Sequence, residues 1–390
     1  MRQVRPASRA GTPTDEAKAP ANVAIASVGN PESTATWSGV TAGIVGGLRE
    51  LGVCVQSLDL TLPGGVERAM LLAAASRTRN RYDAEAAALT ARARSTLARR
   101  ALKRSPVDGV IQIGTTFTLP QETRYVTLED MTLRQASSGH PVFSRMSAPA
   151  VAGWEKRREQ IYGSARMCAA ASRWTGASLR GDYGVGPSRV AVVGFGANHR
   201  MSVPDRDWSS PRFLFVGIDW ERKGGPLVLR AFSRLRREIP AATLDIVGGH
   251  PPLEQSGVKA HGVLSQSLER DRERIAALFA YATCFVMPSL IEPFGIAYVE
   301  AGSCGLPSIG GSIGGPPDVI GTEAGLVVEP NDERGLFEAM LRLADPDTAE
   351  RMGRVARERS TLYTWPKVAE RLLRALGLNS ADGRKLAEFL

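Results

Sequence analysis

From residue 23 onward, short apolar runs bounded by glycine and polar residues alternate with longer stretches of helical spacing. VAIASVG (23–29) has the continuous apolar character of a buried strand, NPESTATWSG supplies turn residues, VTAGIVGGLRELG has helical period, and VCVQSLDL resumes as a strand. Residues 66–104 are predicted as an Ala- and Arg-rich helical region. VDGVIQIG and YVTLED follow as strands that end in polar residues, WEKRREQIYGSARMCAAASRW is predicted as helix, and SRVAVVGFG as the last strand of this half. The polar, two-proline segment ANHRMSVPDRDWSSPR then reads as a connection between domains.

Beyond it the alternation restarts: FLFVG, a helix from about 226, ATLDIVGG, a helix near 268–282, CFVMPS, a helix following SLIEPFG, LPSIGG and GLVVEP. Strands alternating with helices predict an α/β protein, here two doubly wound parallel sheets facing across a cleft. Ligands in such sheets lie at the carboxyl ends of strands. The expected layout is a disordered tail at 1–20, an N-terminal domain at 21–198, a linker at 199–212, a C-terminal domain at 213–365, and a segment 366–390 whose amphipathic helix TWPKVAERLLRALG packs back toward the N-terminal domain.

A chain of 390 residues suits two domains. Cys54, Cys168, Cys284 and Cys304 are scattered among apolar or small neighbours, so reduced, mostly buried thiols in a cytosolic protein are expected. His140, His199, His250 and His261 lack metal-ligand spacing, and no metal site is expected. No apolar run reaches the roughly 18 residues of a membrane span, and the first twenty residues hold no hydrophobic signal core. The formal charge of +9 attracts any polyanion and does not choose among nucleic acid, anionic lipid and a phosphorylated substrate.

The candidate chemistry lies in the second half. In FVGIDWERKGG a strand ends at Gly217 and delivers Arg222 and Lys223 just ahead of a helix, where two cations beside helical N–H groups favour a dianion such as a pyrophosphate; an ordinary solvated charge pair is the alternative. In SLIEPFGIAYVEAGSCG (289–305), Glu292 stands before a helix start and Glu300 within the helix, with Gly295 leaving room for phosphate oxygens. Two acids beside a phosphate site need hydroxyl donors or cations to compensate them, and a sugar nucleotide supplies the hydroxyls. For Glu292 the competing explanation is favourable helix N-terminal charge. Residues 309–318 form a glycine-rich loop able to sit close to a nucleotide, and Gly194-Phe195-Gly196-Ala197-Asn198 reads as an interdomain turn.

FVGIDWERKGG, CFVMPSLIEPFGIAYVEAGSCGLPSIG, GGPPDVI and GLVVEPND, in that order, resemble the donor half of the retaining glycosyltransferases of family four, which have the GT-B fold of two Rossmann-like domains. Glu292 and Glu300 match the family's E-x7-E pattern. The resemblance covers about residues 213–370 strongly and about 22–200 weakly. It implies metal-independent transfer of a sugar from a nucleotide-sugar donor, with no cofactor, to an unknown acceptor that is a glycan, lipid-linked or a small molecule. It implies that Arg222 and Lys223 grip the donor diphosphate, that Phe294, Gly295 and Ile296 offer main-chain contacts near it, that Glu292 lies by the transferred sugar, that Glu300 binds the ribose, and that Gly39 approaches the diphosphate from across the cleft. Many relatives carry an arginine where this chain has Ile218. On the acceptor side, where many relatives have a histidine, this chain has Glu129-Asp130; either carboxylate can orient an acceptor hydroxyl, or Asp130 can cap the next helix. Trp37 and Ser38 complete the acceptor-side candidates.

A rival reading from a different class is a non-catalytic protein of the same fold that binds a polyanion or membrane surface. Residues 77–104 carry Arg77, Arg79, Arg81, Arg92, Arg94, Arg99, Arg100, Lys103 and Arg104, which suit phosphates or anionic lipid, or form a solvated helix face. Aromatic residues interleave poorly with them, so no nucleic acid is expected. The expected location is the cytoplasm, with a peripheral seat at the inner face of the membrane as the alternative.

Overall fold

A computed structural model describes residues 20–66, 69, 81–140, 143, 146–199, 203, 205–265, 268–379 and 385–390. The tail expected at 1–20 lies outside these except for Pro20, as do Arg77, Arg79 and part of the linker. The first sheet holds β1 (Asn22–Ser27), β2 (Cys54–Asp59), β3 (Gly109–Ile113), β4 (Tyr125–Glu129), β5 (Met167–Ala170) and β6 (Val190–Val192), in spatial order β2-β1-β3-β4-β5-β6. The second holds β7 (Arg212–Val216), β8 (Thr243–Val247), β9 (Val258–Ala260), β10 (Cys284–Met287), β11 (Ser308–Gly311) and β12 (Gly325–Val328), in order β12-β11-β10-β7-β8-β9. All ladders are parallel, and helices cover the faces. This burial on both faces is why the strands read as apolar runs rather than alternating ones.

Each sheet reverses direction at one place. In the first, chain order turns between β1 and β3; in the second, between β7 and β10, where Cys284 pairs with Phe213 and Phe285 with Leu214. Loops leaving adjacent strands at such a point diverge and leave a crevice at their carboxyl ends. The loops concerned are 28–39 and 114–118 in one domain, and 217–224 and 288–295 in the other.

One predicted element is corrected. The stretch 154–174 is not one helix: helix Ala148–Ser164 stops, β5 occupies Met167–Ala170, and a new helix runs from Arg173 to Gly181. Small apolar residues that favour a helix in isolation are recruited as a strand because β4 and β6 offer ladder partners on both sides. The edge strand β9, short and half exposed, carries no clear strand pattern in the sequence.

Helix Trp365–Leu376 lies against helix Val40–Glu50 and the first sheet, burying Val368, Leu372, Leu373 and Leu376. Between the domains, Phe195 meets Phe294 at 5.0 Å and Trp365 at 6.3 Å, and Phe294 meets Tyr363 at 5.8 Å. The Trp365 ring fits because Gly43 has no side chain: a Cβ there would lie 2.0 Å from Trp365 Cε2. Gly46, one turn on, faces open space. Gly43→Ala is therefore expected to destabilise by about 1–3 kcal/mol through overpacking, whereas Gly46→Ala stabilises by roughly 0.4–1 kcal/mol. Thermal melts of the two variants should move in opposite directions, and equal shifts would contradict this seat for the helix.

Candidate active site

The two reversal points face each other across a cavity of about 530 Å³. Trp37, Ser38, Glu129 and Asp130 line it from the N-terminal domain, and Arg222, Lys223, Glu292 and Pro293 from the C-terminal domain. Gly217 borders Lys223, since a Cβ at Gly217 would sit 3.0 Å from Lys223 Cγ.

Glu292 is fixed at its main chain before its side chain is considered. Its N–H donates to Ile313 O at 3.1 Å and its carbonyl accepts from Gly315 N at 2.9 Å. The approach is so close that a Cβ on Gly314 would fall 1.8 Å from Glu292 O. The glycine-rich loop is thereby a brace for the Glu292 loop. The Glu292 carboxylate pairs with Lys223 Nζ, accepts from Ser289 Oγ at 3.3 Å, and lies 3.9 Å from Arg222 Nη1. Arg222 is held by Asp219 (Nε to Oδ2, 3.1 Å) and by Ile291 O (Nη1, 3.1 Å). Neither cation is an ordinary solvated loop charge, and Glu292 is not a helix cap: Gly295 occupies that position with no side-chain cap.

Gly295 is required by its own backbone and packing. Its φ of 89° is left-handed, and a Cβ would meet Tyr298 Cδ2 at 2.4 Å. Phe294 turns its ring into the interdomain aromatic cluster, and Ile296 begins the helix Ile296–Ser303. Glu300 is not among the residues lining the cavity. It is buried on that helix, where burial pushes its carboxyl up to about 7 against the opposing pull of the Asn198 and His199 amides. Its Oε1 is buried with no hydrogen-bond partner among the described residues.

Across the cleft, Trp37 and Ser38 adopt left-handed backbone (φ 49° and 53°), followed by Gly39 at 85°. Such conformations in non-glycine residues cost on the order of 1–3 kcal/mol each and need surrounding contacts to hold them. Asn198 is one: its Nδ2 donates to Ser38 O at 2.8 Å, and it packs where a Cβ on Gly39 would be. The GFGAN segment is thus more than an interdomain turn, because Asn198 touches both the Ser38 loop and, through its amide, Glu300.

Glu129 ends β4 fully buried; burial pushes it up to about 7, opposed by the Arg158 guanidinium 3.8 Å away. Burial likewise raises Asp130 to about 6, with Arg158 opposing and the Glu292 charge assisting. Asp130 does not cap the following helix, since Thr132 does so in a capping box with Gln135.

Several lining residues were not singled out in the sequence: Tyr82, His140, Trp154 and Arg158. Arg158 had a legible signal. Trp154, Arg158, Ile161 and Tyr162 recur at the spacing of one helix face, which places an arginine in a buried stripe. The basic run also departs from a wholly solvated face, because Arg94 is buried and lies 3.9 Å from Glu85. No group of metal-binding side chains occurs among the described residues. None of the described helices is long and apolar enough to cross a membrane.

Residues 210–345 match the family model described as glycosyl transferases group 1. The C-terminal domain belongs to that family. A GDP-mannose-dependent alpha-(1-6)-phosphatidylinositol monomannoside mannosyltransferase from Mycolicibacterium smegmatis is 36% identical over 160 residues, which is 37% of this chain and 41% of that protein. Glycogen synthase from Mycobacterium tuberculosis is 32% identical over 198 residues, 48% of each chain. The matched stretch thus spans less than half of either relative. Sucrose-phosphate synthase from Thermosynechococcus elongatus superposes with a TM-score of 0.65 at 19% identity, covering 91% of this chain and 98% of that one, so the glycosyltransferase group 1 domain is the second half of a GT-B architecture.

In this group 1 domain the Glu300 carboxyl favours its protonated form when folded and releases the proton when unfolded, from its ordinary value of 4.5. Its contribution is therefore most favourable below about 4.5 and is lost as pH rises through about 7, by about 3 kcal/mol at most. Glu300→Gln is expected to flatten this part of the stability profile. Denaturant melts of both proteins between pH 5 and 8 check it; parallel curves would contradict the buried carboxyl.

Proposed function

We propose that the protein is a retaining, metal-independent glycosyltransferase of the hexosyl type. It moves a sugar from a nucleoside-diphosphate sugar to an acceptor hydroxyl, in the cytoplasm. The observation that carries this reading is the meeting of Arg222, Lys223 and Glu292 with Trp37, Ser38, Glu129 and Asp130 at two facing crevices. A transferase needs both walls, one for the donor and one for the acceptor. The relatives named above as a mannosyltransferase and a synthase of glycogen support the same class.

In the proposed reaction the bond from the anomeric carbon to the diphosphate oxygen breaks, and its electron pair leaves with the diphosphate. Arg222, Lys223 and the start of helix Ile296–Ser303 meet that growing charge, stabilising the transition state more than the bound donor. The acceptor oxygen bonds to the same face of the sugar, and its proton passes to the departing phosphate. Glu292 sits by the sugar, with its charge balanced by Lys223. The family pattern gives Glu300 the ribose hydroxyls, although its side chain is buried outside the cavity that Glu292 lines. Gly39 and the main chain at Phe294, Gly295 and Ile296 border the diphosphate.

The rival reading, a non-catalytic binder of membrane or polyanion, is favoured by the exposed Arg92, Arg99, Arg100, Lys103 and Arg104 on helix Ala88–Arg104. The two separate by experiment. Nucleoside diphosphates should raise the melting point, and the protein should release nucleoside diphosphate from the matching activated sugar. Lys223→Ala or Glu292→Gln should lower turnover by roughly 10²–10³-fold with the fold intact. Full turnover in both variants would remove the site, and salt-sensitive vesicle binding without nucleotide affinity would favour the rival.

With Asp130 at about 6, its carboxylate is lost on acidification, so kcat/KM should fall below about pH 6. Asp130→Asn should be slow at every pH and lack that limb. An unchanged limb in the variant would assign it to another group.

A further inference from the structure

A second cavity, of about 430 Å³, lies where the two domains and the returning helix meet. Among the described residues it shares none of its lining with the cavity that Glu292 borders. Its charged walls come from three places. Arg173 starts helix Arg173–Gly181 of the N-terminal domain; Asp318 on helix Pro316–Ile320 and Arg359 near the end of helix Pro346–Ser360 belong to the C-terminal domain; Lys367 and Arg371 lie on helix Trp365–Leu376. Four lining cations thus outnumber the lining carboxylates of Asp318 and Glu388.

Those two carboxylates leave most of the positive charge unmatched. Asp318 accepts from the Arg173 main-chain N–H at 2.5 Å and lies 3.7 Å from Arg173 Nη1. Glu388 is mostly exposed and lies 3.5 Å from Lys385. Arg359 donates only to main-chain carbonyls, from Nε to Val319 O at 3.1 Å and from Nη2 to Asp318 O at 2.5 Å. Arg371 likewise donates from Nε to Glu388 O at 2.7 Å and from Nη1 to Val193 O and Leu362 O at 2.9 Å each. Arg371 Nη2 and Lys367 Nζ have no hydrogen-bond partner among the described residues, and Arg359, Lys367 and Arg371 form no ion pair among them. Asp318 and Glu370 act on Arg359 and Arg371 only at longer range.

Arg371 is the anomaly, because it is only 2% exposed. Burial disfavours its charge, with Tyr363 and Glu370 opposing. A guanidinium held by carbonyls alone keeps its whole charge in a poorly solvated place, which is costly unless an anion completes the set. The cavity beside it is where that anion fits.

The chemistry of the ligand follows from the walls. A phosphate monoester carries roughly two negative charges on three acceptor oxygens, enough to meet Lys367 and Arg371 together, whereas a carboxylate brings about half that charge. A cationic ligand would face repulsion from four lining cations, and a neutral one would leave Arg371 uncompensated. Val192, Leu362, Phe389 and Leu390 supply an apolar wall for the rest of the molecule.

We propose that this cavity is a second ligand site, for a small organic phosphate monoester whose phosphate meets Lys367 and Arg371 and whose apolar body lies on Val192, Leu362 and Phe389. The site requires nothing of the glycosyltransferase reading, and the residues that build it take no part in the proposed transfer.

Calorimetry on the full chain at constant ionic strength tests it, with phenyl phosphate, inorganic phosphate, benzoate and benzyl alcohol as probes. Phenyl phosphate should bind more tightly than the other three. Lys367→Gln should weaken that binding by about tenfold or more without moving the melting point of the unliganded protein, and Lys223→Ala, in the other cavity, should leave it unchanged. A further binding event that Lys223→Ala removes would belong to the other cavity, and the proposal then stands on the one that Lys367→Gln weakens. Absence of phenyl phosphate binding, equal binding of benzyl alcohol or inorganic phosphate, equal affinity in Lys367→Gln, or binding removed by Lys223→Ala alone would overturn it.

Discussion

The main-chain clasp between Glu292 and the loop Ile313–Gly315 is the constraint on which the rest depends. Two hydrogen bonds and a glycine that admits no Cβ hold the Glu292 loop against the end of the neighbouring strand. With the backbone fixed, the carboxylate can reach Lys223 and approach Arg222, whose own position is fixed by Asp219 and Ile291. Sheet order supplies the location, and this clasp supplies the orientation. A site on loops becomes as rigid as the strands that launch them.

The charges around the cleft are balanced on one side and unsatisfied on the other. The C-terminal wall pairs Arg222 with Asp219 and Lys223 with Glu292. The N-terminal wall buries Glu129 and half-buries Asp130, and desolvation raises the pKa of both. A molecule spanning the cavity therefore meets fixed ion pairs at one end and carboxyls raised by burial at the other.

Much of this was legible in the sequence, for identifiable reasons. Buried parallel strands announce themselves as apolar runs, and the strand-end loops carrying Arg222, Lys223 and Glu292 hold charges that a purely structural turn does not need. β5 was hidden because Met-Cys-Ala-Ala has helix-compatible composition and becomes a strand only through its neighbours. Arg158 showed in its buried helix stripe and Asn198 in the GFGAN turn, but their partners did not: Glu129 and, 160 residues away, Ser38 are long-range pairs that local pattern does not encode. Gly295 and Gly314 are also required by long-range neighbours that the sequence does not show, since a Cβ would meet Tyr298 at the first and Glu292 O at the second.

Asn198 belongs to the connection between the domains, yet its side chain holds the left-handed turn at Trp37–Gly39 and its amide faces Glu300. A hinge is usually a passive thread on which two bodies swing. Here the thread is tied to both bodies, to the turn in one and to the buried acid in the other. A change at this single residue therefore reaches a strained turn in one domain and a buried acid in the other.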